Sequence, residues 1–94
     1  MVPVQDLTTG ILADLLRRQP ASRERTSFAW QLAVGAAMAR STTVDLDGGV
    51  LKVRPRTHEW ANEIQRASDT ILKRMQHLLG SGSVSRIEIA RADD

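Results

Sequence analysis

The 94-residue chain contains no cysteine, which removes disulfides, thiolate metal sites and cysteine nucleophiles together and leaves stability to packing alone. A reducing cytosol suits such a composition. No apolar run approaches the roughly 18 residues of a membrane span, and the N-terminal stretch lacks a charged-then-apolar signal pattern. The expectation is a soluble, cytoplasmic protein that makes no membrane contact. Aromatic residues are few: two Trp, one Phe and no Tyr. Histidine is as scarce, and if His58 and His77 lie on one helix, as read below, they are about 28 Å apart at roughly 1.5 Å rise per residue. They therefore cannot share a metal or act as one catalytic pair. No serine stands in a Gly-x-Ser-x-Gly context. The one adjacent carboxylate pair, Asp93 and Asp94, ends the chain, and Arg91 to Asp94 reads as a frayed end. No Gly-rich phosphate loop with a following Lys-Ser/Thr occurs. The expectation is a non-enzymatic protein with no cofactor and no metal.

What remains is enough for one domain. A chain of this length buries a single modest core, and 41% hydrophobic with 26% charged residues of both signs is ordinary globular composition. The net charge of +2 is unevenly placed: residues 1–56 hold eight Lys/Arg against five Asp/Glu, and residues 57–94 hold five against six. Arg17, Arg18, Arg23 and Arg25 flank Pro20, and Arg40, Lys52, Arg54 and Arg56 follow. This basic excess is either a solvated surface or a nucleic-acid footprint.

Leu7, Ile11 and Leu15 recur every four residues, with Leu12 and Leu16 beside them, which predicts one apolar stripe along a helix over roughly 6–18 with Asp6 as N-cap. Pro20 ends that element. A second helix starts near Ser22 and runs to Arg40; Phe28, Trp30, Leu32, Val34, Ala37 and Met38 fall on several of its faces, so it is expected to be mostly buried. Gly35 inside it costs about 1 kcal/mol against alanine, which implies close approach of another backbone. The period then changes to two. Val44, Leu46, Leu51 and Val53 alternate with Thr43, Asp45, Lys52 and Arg54, and Asp47-Gly48-Gly49 between them signals a hairpin closed by Pro55.

Residues 58–79 carry the clearest helical pattern. Trp60, Ile64, Ala67, Ile71, Met75 and Leu78 share a stripe widened by Ala61, Ser68, Leu72 and Leu79, with Glu63, Arg66, Asp69, Lys73, Arg74 and Gln76 toward solvent. Thr57 can cap its start, and Gly80 is the left-handed residue past its end. Val84, Ile87 and Ile89 form a last short strand, which the long helix returns parallel to the second. The order α-α-β-β-α-β predicts a single α+β domain with a core of about residues 6–90, its helices packed on one face of a three-stranded sheet.

The run Trp30-x-x-x-Val34-Gly35-x-x-x-Ala39-Arg40-Ser41-Thr42, then Gly49-x-Leu51-x-Val53, Trp60-Ala61, Leu79-Gly80 and Val84-x-x-Ile87-x-Ile89 resembles the conserved domain of the DciA family over about residues 7–90. The resemblance implies a K-homology-like fold and a role in bacterial DNA replication as a helicase loader, through binding of the DnaB-type replicative helicase and contact with DNA. The Gly-x-x-Gly loop with which K-homology domains clamp phosphates is missing, because Gly80-Ser81-Gly82 has the wrong spacing. Many members also carry a long flexible extension that engages the helicase. This chain stops near the domain boundary, so the globular surface is expected to supply that contact.

Trp30 and Trp60 could stack on single-stranded bases, but both lie on apolar helical stripes and are expected in the core. The alternation projects Lys52, Arg54 and Arg56 from one face of the hairpin, either as a solubilising sheet face or as a phosphate-contacting strip joined by Arg40 and the arginines around Pro20. Three functions fit these features: a helicase-loading accessory that binds single-stranded DNA without hydrolysing ATP, a K-homology-like RNA-binding protein of ribosome or transcript metabolism, and an enzyme subunit.

Overall fold

The computed structural model describes residues 4–91, and their side chains from residue 10 onward. The chain is α+β. Helix α1 spans Val4–Arg18, α2 Arg23–Val34, α3 Ala36–Arg40 and α4 His58–Leu79, and strands β1 Thr42–Asp47, β2 Val50–Pro55 and β3 Arg86–Ile89 form one sheet. The sheet order is β1-β2-β3. Strands β1 and β2 pair antiparallel with Val44 opposite Val53 and Leu46 opposite Leu51, the register the alternation predicts. Gly48 and Gly49 both have positive φ, 57° and 82°, as the two-residue hairpin turn requires. Strand β3 lies beside β2 and parallel to it, Leu51 facing Ile87 and Val53 facing Ile89.

Helix α4 covers one face of this sheet. Thr57 accepts the Trp60 N–H at 3.2 Å to cap its start, and the Gly80 N–H closes its end on the Gln76 carbonyl at 2.8 Å. Ile64, Ile71, Met75, Leu78 and Leu79 of its apolar stripe are buried against Leu51, Val53, Val84 and, from the first two helices, Ala13, Leu16, Ala29, Trp30 and Ala33. Val44, Leu46, Ile87 and Ile89 pack at the margin of that cluster.

Several expectations are corrected. Helix α1 begins two residues before Asp6, which lies inside its first turn. Its buried face is Ala13 and Leu16, leaving Ile11 and Leu15 exposed. The four-residue spacing fits two neighbouring faces, and the small Ala13 marks the one that meets α4. The Leu7 side chain, and the terminal Asp93 and Asp94, lie outside the described residues. The second helix is not continuous. Gly35 (φ 89°, ψ 167°) separates α2 from α3, and the space where its Cβ would project is open, so the glycine serves a backbone conformation rather than a close approach. Nor is α2 mostly buried: Thr26, Ala29, Trp30 and Ala33 are inside, but Phe28 and Leu32 are exposed. Trp60 is only half-buried. Gln76, expected in solvent, is half-buried and donates to the Val84 carbonyl at 2.9 Å. The last strand starts at Arg86, with Val84 fully buried ahead of it.

Candidate nucleic-acid interface

Trp30 is the pivot on which the candidate site is built. It is 2% exposed, so its ring is packing rather than a platform for bases. Its Nε1–H donates to Thr42 Oγ1 at 2.8 Å, and the Thr42 hydroxyl donates onward to the Met38 carbonyl at 2.8 Å. One hydroxyl thus satisfies the buried indole N–H and adds a second donor to a helix-end carbonyl that also accepts the Ser41 N–H at 3.1 Å. The relay ties α2, the end of α3 and the first residue of β1 together, which fixes where Arg40 and Thr43 stand. Gly35 makes this possible. Its N–H closes α2 on Gln31 at 2.9 Å, its carbonyl accepts the Ala39 N–H at 3.0 Å, and the chain between swings α3 alongside β1.

The result is a groove of about 760 Å³ between α2–α3 and the sheet face opposite α4, with Trp30 among its lining residues. Arg23 and Arg40 come from the helical side, Lys52 and Arg54 from β2, and Asp45 and Glu88 from the flanking strands. Four cations therefore meet two carboxylates. The ladder places Lys52 between Asp45 and Glu88, and its Nζ is 3.7 Å from Asp47. Arg54 stands opposite Thr43 and has no ion-pair partner among the described residues. The least neutralised cations of the groove are thus Arg54, Arg23 and Arg40, none of which forms an ion pair among the described residues.

The remaining arginines named from the sequence lie elsewhere. Arg17 donates to the His77 carbonyl at 2.6 Å and pairs with Asp14, joining α1 to the end of α4. Arg25 donates to the carbonyls of Leu16 (3.2 Å) and Gln19 (2.9 Å), and its Nε is buried without a partner. Arg25 thus holds the α1–α2 connection, where Ser22 caps α2 by accepting the Arg25 N–H at 3.0 Å. Arg18 and Arg56 are exposed outside the groove. Sequence reasoning missed Thr42, Asp45 and Glu88. A threonine between a helix end and a strand is a weak signal, and the two acids become neighbours of Lys52 only once the register is known.

Among the described residues no group of three His, Asp or Glu could hold a metal, and no helix is long and apolar enough to cross a membrane. The arrangement offers positive charge along a groove with no exposed aromatic ring to stack on, which suits a polyanion held through its phosphates rather than through its bases. No curated protein matches this chain closely enough to be compared. The family model described as "Dna[CI] antecedent, DciA" matches residues 3–89, nearly the whole length, and the chain belongs to the DciA family.

Proposed function

We propose that this protein is a non-enzymatic accessory of DNA replication, working in the cytoplasm, that binds the DnaB-type replicative helicase and single-stranded DNA and assists helicase loading without hydrolysing ATP. Membership of the DciA family supports a helicase-loader-type role in replication. The observation that carries the DNA-binding part is the convergence of Arg23, Arg40, Lys52 and Arg54 on one groove, residues that are up to 31 positions apart in the chain. Association rather than chemistry is the work this surface suits: loading proceeds by stabilising an opened helicase ring that already forms part of its ensemble. Arg18, exposed beside Pro20 and outside the groove, is the first candidate for the helicase contact, since a basic rim speeds encounter with an acidic surface.

Light scattering of the purified chain mixed with the hexameric helicase tests this reading, together with the onset of unwinding. A complex at micromolar protein and an earlier start are expected. No complex, combined with tight RNA binding, would overturn the helicase reading in favour of an RNA-binding protein of ribosome or transcript metabolism.

A further inference from the structure

Strand β3 is a sheet edge whose hydrogen-bonding pattern is settled by its other side. The Arg86 N–H donates to Gly49 at 3.4 Å and the Ala90 N–H to Val53 at 2.8 Å, and Val50 pairs with Arg86 and Lys52 with Glu88. In a parallel ladder this directs the backbone groups of the even-numbered residues, Arg86, Glu88 and Ala90, toward β2. The N–H and C=O of Ile87 and Ile89 therefore point away from the sheet. No strand lies beyond β3 among the described residues. Its side chains divide by face: Ile87 and Ile89 lie half-buried on the side of α4, and Arg86 and Glu88 are exposed on the other, their charged ends 3.1 Å apart.

We propose that this edge pairs antiparallel with β3 of a second copy of the chain, with Ile87 opposite Ile87 on the two-fold axis, to give a continuous six-stranded sheet. Only odd-numbered residues expose backbone groups, so an odd-numbered residue must face an odd-numbered one, and few symmetric registers remain. The register centred on residue 86 sets Arg86 against Arg86, and the one centred on 88 sets Glu88 against Glu88. Like charges directly opposite are destabilising. The register centred on Ile87 instead places Arg86 of each copy opposite Glu88 of the other, twice, at non-hydrogen-bonded positions where side chains approach most closely. It also lets the two Ile87 residues exchange both backbone hydrogen bonds and bury their side chains against each other. The sequence Arg86-Ile87-Glu88-Ile89 is thus self-complementary in one register. A strand of four residues makes a small interface, so the association is weak and concentration-dependent. The pairing does not depend on the proposed helicase or DNA contacts.

Sedimentation velocity of the full chain, from low micromolar to near-millimolar concentration and without nucleic acid, tests this. The wild-type chain is expected to shift from monomer toward dimer. Glu88→Arg or Arg86→Glu alone turns both cross-pairs repulsive and should weaken the dimer roughly tenfold or more, while the combined Arg86→Glu, Glu88→Arg chain should regain it. Thermal melts of all three variants identify any loss that comes from unfolding. A wild-type chain that stays monomeric throughout overturns the proposal, as does a single variant that dimerises like wild type, or a folded double variant that fails to recover.

Discussion

At the scale of single residues, two tryptophans on similar apolar stripes have different environments. Trp30 is enclosed and hydrogen-bonded through Thr42 to Met38, whereas Trp60 is half-buried near the start of α4. Trp30→Ala should cost about 3–5 kcal/mol, and Trp60→Ala clearly less, about 1–2 kcal/mol, because less area leaves water on folding. Thr42→Val keeps the volume but strands the buried indole N–H, while the Met38 carbonyl keeps the Ser41 N–H, an expected loss of about 2 kcal/mol; Thr42→Ser retains the relay and most of the stability. Denaturant melts of the four variants check the order, and equal losses for the two tryptophans would contradict it. Hydrophobic spacing shows that both residues belong to helices, but it carries no depth. Depth depends on whether another element crosses at that turn, and only tertiary packing decides that.

At the scale of elements, those with strong, unambiguous periodicity are legible in the sequence. Helix α4 has matching caps at both ends and a stripe sustained over 22 residues, and the hairpin has a turn whose glycines fit only one geometry. The second helix is harder to read because Gly35 interrupts a pattern that is apolar on either side of it. Its conformation, φ 89° and ψ 167°, is essentially accessible to glycine alone. Gly35→Ala should therefore destabilise by about 1–3 kcal/mol, although a Cβ there would touch nothing. A chemical-denaturation midpoint equal to that of wild type would show that the break between α2 and α3 is not strained for other residues. The candidate site is half legible for the same reason. Alternation puts Lys52 and Arg54 on one face, but the acids beside Lys52 and the approach of Arg23 and Arg40 follow from register and from the bend at Gly35. Arg54→Ala should consequently weaken single-stranded DNA binding more than Lys52→Ala, whose charge is already partly offset by Asp47 and which stands between Asp45 and Glu88 in the ladder. Removing one side chain that neutralises a phosphate should flatten the log–log salt dependence by about 0.7. Binding titrations at several salt concentrations read both effects, and unchanged slopes would return these residues to a solvated surface.

On the scale of the whole molecule, a small core under α4 leaves the opposite sheet face free, and the α2–α3 bend converts that face into a basic groove. Such a domain can act by holding partners in place, and its family places that action in helicase loading. The most direct test is the amount of replicative helicase retained on circular single-stranded DNA, which has no end to thread, with and without this protein and with ATP turnover followed in parallel. The wild-type chain should increase the retained helicase without adding ATP hydrolysis of its own, and a chain with Arg23, Arg40 and Arg54 replaced by alanine should lose most of that increase while remaining folded. Retained helicase that is the same with and without the wild-type chain would contradict the account.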